Sequence, residues 1–400
     1  MPEPEERVSR PAHGDTGSVF AGASRAAGYV ESEPAIDSET AGELLQLPVN
    51  APDAPEIQSA STSSDDAGSS AADGTGADVF SASIGDLSKA SAAAPELRAK
   101  EGFRGALNGL GFRLAPGEAE LRQIETANQR RQDEETIRQA TWTRAVSILV
   151  ANRKGGVGKT PVSILLGGSI ASIRGGSVAI VEVSDDPGAL SFRAEGQPQL
   201  GIGELVRDAR TVTSAGQLAG YTAPQTSFAS VIGSVGNRKP LTGEDVKAVA
   251  QVVDEYFTIR VMDSGNQPSS SAFRGAVETA DALVIPIQNA GDAVLDALAL
   301  LDHLRAQGGH AAELARRAIF IRLTDNRPEY PQVMERINRI IAGSGVTQTF
   351  AVPYDAHIAE RGQLTLSSLN PATHTAFISA AAGVVRSINT RSITERKATK

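Results

Sequence analysis

The chain has 400 residues, with 47 acidic and 38 basic side chains and a formal net charge of −9 at neutral pH. It contains no cysteine, which excludes disulfides, thiolate metal sites and cysteine nucleophiles. Its five histidines, His303 and His310 among them, show no metal-ligand spacing, and no apolar run approaches the roughly 20 residues needed to cross a bilayer.

The charge is unevenly placed. Residues 1–95 hold 16 acidic and 4 basic residues, net −12, so the rest of the chain is net +3. Stretches such as SASTSSDDAGSSAADGTGAD have no aromatic residue. Such a composition cannot bury enough apolar surface to offset its ordering entropy, and residues 1–95 are read as a disordered acidic tail. Its role is solubility or competition for an anionic surface that the mildly positive body touches. The start, MPEPEERVSRP, lacks the apolar centre of a secretory signal, so the protein is expected in the cytoplasm.

Residues 96–143 form a bridging segment. Gly102–Leu114, GFRGALNGLGFRL, mixes aromatic, leucine and arginine residues and is expected to dock the next helix on the core, with an interaction element or a membrane-surface segment as the alternative. Glu118 to Ala140, free of Gly and Pro, predicts a helix with a narrow apolar stripe at Leu121, Ile124 and Ile137.

From Arg144 short apolar strands alternate with helices. Strands are expected at Ala145–Ala151, Ser177–Val183, Ile259–Asp263, Ala282–Ile287, Ala318–Leu323 and Thr349–Val352. Nearly continuous apolar strands separated by helical stretches predict an α/β fold, a parallel sheet covered on both faces. Ligands of such a fold lie beyond the carboxyl ends of the strands. Residues 144–390 are assigned to this domain and 391–400 to a basic C-terminal tail.

The first strand runs into KGGVGKT, Lys154 to Thr160. Strand, glycine-rich loop and helix form the grammar of a phosphate site. Gly155, Gly156 and Gly158, with Val157 between them, let backbone N–H groups converge on an anion. The helix that follows adds its positive N-terminal end. Lys159 would reach the β- and γ-phosphates of ATP, and the Thr160 hydroxyl would hold Mg²⁺. Asp263 ends the strand IRVMD, and a carboxylate there suits a second contact to Mg²⁺ or its water shell.

The loop departs from G-x-x-x-x-G-K-[ST], because Arg153 stands at the first glycine and Lys154 follows it. The two lysines, Lys154 and Lys159, resemble the deviant Walker A motif of the ParA/MinD family of dimerising P-loop ATPases. The resemblance covers about residues 144–388. It implies a three-layer αβα fold, ATP and Mg²⁺ as ligands, and a homodimer in which Lys154 reaches the partner's nucleotide. The absence of cysteine sets the chain apart from the iron–sulfur branches of that superfamily.

Further site residues come from the resemblance alone. The family's second strand ends in D-x-D-P-Q, with the second Asp acting on the attacking water. Here the sequence is E-V-S-D-D-P-G. Aligned by strand, Glu182 takes the first position and Ser184 the catalytic one. Aligned by the Asp-Pro pair, Asp186 is catalytic, with Asp185 as alternate, and this alignment is preferred. If Ser184 holds that position, hydrolysis would be slow or absent. Ser264-Gly265 replaces the family's usual pair after the Asp263 position. Asn326 and the backbone from Pro353 to Asp355 match the adenine pocket.

Three functions follow. One is a ParA-type switch that binds DNA nonspecifically and is released by a stimulating partner protein. Arg316, Arg317, Arg322, Arg327, Arg336, Arg339, Arg361, Arg386, Arg391, Arg396, Lys397 and Lys400 could serve it. A MinD-like membrane-positioned regulator is disfavoured, because SINTRSITERKATK offers only isoleucines as bulky apolar residues. The third is a weakly hydrolysing adaptor of a secretion or cell-pole machine. Actinobacterial ParA-like proteins with long tails, some linked to type VII secretion, are similar in organisation.

Overall fold

The structure, a computed structural model, describes residues 98–100, 102–112 and 114–398. The acidic tail predicted over residues 1–95 lies outside them. In chain order the helices and strands are α1 (Gly102–Gly109), α2 (Glu118–Gln139), β1 (Val146–Val150), α3 (Lys159–Arg174), β2 (Val178–Glu182), α4 (Leu190–Arg193), α5 (Ile202–Asp208), α6 (Ala215–Ala219), β3 (Ala223–Pro224) and β4 (Ser230–Ile232). They continue with α7 (Gly243–Tyr256), β5 (Ile259–Asp263), α8 (Ser271–Thr279), β6 (Ala282–Gln288), α9 (Gly291–Gln307), α10 (Gly309–Arg316), β7 (Ile319–Leu323), α11 (Pro331–Gly343), β8 (Gln348–Val352), α12 (Ala356–Ala359) and α13 (Pro371–Ala398).

The eight strands form one sheet in the order β3-β4-β2-β5-β1-β6-β7-β8. Every neighbouring pair is parallel except β3 and β4. All six predicted strands are present, with ends shifted by one residue at most positions. The sequence reading missed β3 and β4, whose two and three residues are too short to show a period. Strand β1 is buried along its whole length. Ile148 and Val150 pack into one core, with α3 and α13, while Leu149 packs into the other, with α7, α8 and α9. This is the two-faced burial that the continuous apolar strands predict.

Register places the site. Val150 and Glu182 both pair with Asp263, so β1, β2 and β5 end level. The chain leaves β1 for one side of the sheet and later returns through β6 to the other. The carboxyl ends around β1 are therefore where a crevice forms.

The bridging segment corrects one expectation. Gly102–Leu114 does not dock the helix: Phe103 is 80%, Leu110 78% and Phe112 57% exposed. Asn108 closes this stretch on itself, donating to the Ala99 and Leu114 carbonyls at 2.9 Å each. Helix α2 docks itself on α13. Its buried side chains are Asp133 and Ile137, and Asp133 accepts from Ser379 Oγ at 2.7 Å and Arg386 Nη1 at 3.0 Å. Arg174 closes the far end of α2, donating to the Ile137 and Ala140 carbonyls at 2.9 and 2.8 Å, as basic groups do at helix C-termini. The backbone of residues 391–398, set apart in the sequence as a basic tail, continues α13 as helix.

Asp133→Ala should lower stability by about 1–3 kcal/mol, because it strips Ser379 and Arg386 of their acceptor at a buried position. The exposed Glu135→Ala should stay within about 0.5 kcal/mol of the parent. Melting temperatures of the two variants check the pair.

Candidate functional site

At the carboxyl ends of the strands lies a cleft of about 820 Å³, toward the upper part of the roughly 300–1,000 Å³ usual for small-ligand sites. The loop between β1 and α3 forms its floor. Gly156 and Gly158 have φ of 76° and 97°, a region that costs L-residues but not glycine. A Cβ on Gly158 would also meet the end of the Leu323 side chain, which would have to shift. Buried Asn152 holds the loop's start: it donates to the Pro286 carbonyl at 2.8 Å and accepts from the Lys154 N–H at 2.9 Å.

Lys159 is 9% exposed. Its ammonium donates to the Lys154 carbonyl at 3.0 Å and to Asn266 Oδ1. Burial pushes it down to about 8, against the pull of Asp263. Asp263 accepts from Thr160 Oγ1 at 2.7 Å and from Ser163 Oγ at 3.0 Å. Burial pushes its carboxyl up to about 6; the two hydroxyls oppose that shift, and the Glu182 charge adds to it.

The sequence-predicted residues divide into two groups. Gly155, Gly156, Gly158, Lys159, Thr160, Asp263, Asn326 and Pro353 all line the cleft. Val157 is buried behind the loop at 1% exposure. Lys154 is outside the lining and pairs with Asp292, in the first turn of α9, at 2.8 Å. That pair is well exposed, 42% and 62%, so it holds weakly.

Asp185 and Asp186 also lie outside the lining, whereas Ser184 is part of it. The cause is Arg238, which the sequence reading did not single out. Its guanidinium pairs with the buried Glu182 carboxylate at 2.8 Å. It also donates to the carbonyls of Ser184 at 2.9 Å, Asp185 at 2.5 Å and Asp186 at 3.1 Å. The turn after β2 is folded around this cation, which leaves the Asp186 side chain at the surface. Glu182 further accepts from Ser234 Oγ and from the Gly188 N–H at 2.5 and 3.0 Å.

Of the basic residues considered for DNA, several are tied to neighbours. Arg316 pairs with Glu313, Arg317 lies 3.9 Å from the same carboxylate, and Arg327 donates to Asp325. Arg322 donates to Asn289 and Asn338, and Arg386 is held by Asp133. The side chains of residues 391–400 are outside the described set. Among the described residues no helix is long and apolar enough to cross a membrane.

The parallel sheet, the glycine loop opening α3 and the hydroxyl–carboxylate pair behind it define a P-loop nucleotide-binding fold. Residues 148–366 match the family described as the CobQ/CobB/MinD/ParA nucleotide binding domain, and the chain belongs to that family. A ParA family ATPase from Chlorobium tepidum TLS superposes with a TM-score of 0.51 at 14% identity, over 60% of this chain and 98% of that one. A cell division ATPase MinD from Pyrococcus furiosus gives a TM-score of 0.45 at 17% identity, over 60% and 99%. The ESX-1 secretion-associated protein EspI of Mycobacterium tuberculosis is 24% identical over 236 residues, 56% of this chain. The match spans only 34% of that relative's length.

The buried Asp263 carboxylate gives a pH signature. Its folded value near 6 exceeds the ordinary 3.8, so the folded state binds more protons between those values and stability falls as pH rises through that window. Asp263→Asn removes the cost of the buried charge. In the nucleotide-free protein it should raise stability by about 2–3 kcal/mol above pH 7 and have little effect near pH 4, as denaturant titrations at the two pH values will show.

Proposed function

We propose that the chain is an ATP-dependent dimerising switch with slow turnover. The observation that carries this reading is the cleft floor, where the glycine cradle, the buried Lys159 ammonium and the Thr160–Asp263 pair converge. These residues fit a nucleoside triphosphate with Mg²⁺. The free N–H groups at the start of α3 and Lys159 would hold the phosphates. Thr160 and Asp263 would hold Mg²⁺, which takes one or two carboxylates or hydroxyls and completes its shell with phosphate oxygens and water. The cation, when bound, would neutralise charge developing on the transferred phosphoryl group.

Lys154 belongs to a different part of the device. Its ion pair with Asp292 lies at the surface and is cheap to break. The lysine is thus available to a second copy of the chain placed against the cleft. Slow turnover follows from the turn after β2, because Ser184 lines the cleft where the family pattern has a carboxylate, and serine cannot serve as a base at neutral pH. The same feature favours a second reading, a nucleotide-gated adaptor of a secretion machine, and the partial likeness to EspI is consistent with it. Partitioning of DNA would instead need a basic surface; of the candidate arginines, Arg386 is tied to the buried Asp133, whereas the exposed pairs of Arg316 and Arg327 hold as weakly as that of Lys154.

Light scattering with Mg-ATP should give twice the monomer mass, and Mg-ADP should not. Lys154→Ala should abolish the doubling while keeping ATP binding. A monomer under both nucleotides rules out the switch. Asp186→Asn and Asp185→Asn should change steady-state ATP turnover less than twofold, since neither side chain lines the cleft; a loss of tenfold or more in either would return that residue to the catalytic position.

A further inference from the structure

The cleft is positive at two places. One is Lys159. The other is formed by Arg193 on α4 and Arg361, which follows α12; both line the cleft. Arg193 is 7% exposed. Its side chain makes one hydrogen bond among the described residues, Nη2 to the Ile358 carbonyl at 3.3 Å, and its Nε has no partner. Burial, and then the charge of Arg361, holds its guanidinium below the usual arginine range. Arg361 is exposed and has φ of 56°, backbone strain of the kind that collects at ligand sites.

Among the described residues no carboxylate is paired with either of these two cations. Asp263 is engaged by Thr160 and Ser163, and Asp325 by Arg327. Asp355 accepts from the His357 and Asn370 N–H groups at 3.0 and 2.9 Å. Two neighbouring guanidiniums repel each other unless an anion lies between them. The same cleft is also short of a donor. Pro161, the third residue of α3, lines it, and proline brings neither an N–H nor a hydroxyl to the start of the helix, where free N–H groups otherwise face an anion.

We propose that Arg193 and Arg361 form a second phosphate subsite, separate from the glycine loop, for a phosphate at the nucleoside end of the bound nucleotide. The inference rests on the nucleotide reading above. The phosphate comes either from the α position, for which Pro161 offers no donor, or from an ester on the ribose. Both sources present the same chemistry, phosphate oxygens met by planar guanidinium forks.

The test is calorimetric binding of ATP and of adenosine 3′,5′-bisphosphate to the full chain, to Arg361→Gln and to Arg361→Lys. Arg361 is the chosen position because its exposure lets the variants keep the parent melting temperature. Arg193→Gln, at a buried position, is a second variant to be read only alongside its own melting curve. For an α-phosphate source, Arg361→Gln should weaken ATP at least tenfold and Arg361→Lys should recover part of the loss. For a ribose phosphate, the loss should fall on the bisphosphate while ATP stays within twofold. If a parent chain that binds ATP gives an Arg361→Gln variant with both affinities unchanged, the subsite is overturned and the nucleotide site stands. A parent chain that binds neither compound would overturn both.

Discussion

The site depends on one buried carboxylate. Asp263 ends the strand that pairs with both β1 and β2, and its two oxygens meet hydroxyls from the first turns of α3. That contact fixes how far the helix stands from the sheet. The distance in turn sets the curl of the loop, the height of Lys159 and the floor of the cleft. A charge in this place opposes folding, which is why the carboxyl titrates near 6. The arrangement holds a buried charge at a cost to stability, a common trade at functional sites.

A second buried acid meets the opposite fate. Glu182 lies level with Asp263 on the neighbouring strand, but Arg238 neutralises it and uses its remaining donors on the turn carbonyls. Two acids one strand apart thus differ in their partners: hydroxyls meet both, but only Glu182 has a guanidinium paired with it. Asp263 is met by uncharged donors only, and Glu182 is tied into the turn that follows its strand. This division decides which residue of the turn faces the cleft.

Much of this was legible in the sequence. Continuous apolar strands gave the parallel sheet, and KGGVGKT placed the loop, because both are local patterns with one physical solution. Asp263 was legible from its place at a strand end. The turn after β2 was not. Glu182, Ser184, Asp185 and Asp186 could be aligned in two ways, and which of them faces the cleft depends on contacts to an arginine 52 positions after Asp186. Distant partners leave no mark on local spacing. The same holds for Arg193, whose guanidinium donates to the Ile358 carbonyl in α12, 165 positions away. Gly102–Leu114 misled for a related reason: its aromatic residues suggested burial, but Asn108 satisfies the backbone locally and leaves Phe103 in solvent.

The docking of α2 on α13 carries a kinetic consequence. Trp142 Nε1 donates to Asn389 at 2.9 Å across 247 positions, and Ser379 reaches Asp133 across 246. Contacts of such sequence separation are costly to close early, because the intervening chain must first be ordered. On these grounds the seating of α2 on α13 is expected late, as is the packing of α13 on α3. Since α2 buries only Asp133 and Ile137 along its 22 residues, it is held by little, and its opening as a unit would leave the nucleotide fold beneath intact. Anything that pulls on the bridging segment would act first on this seam, and amide exchange in α2 would be the earliest sign of it.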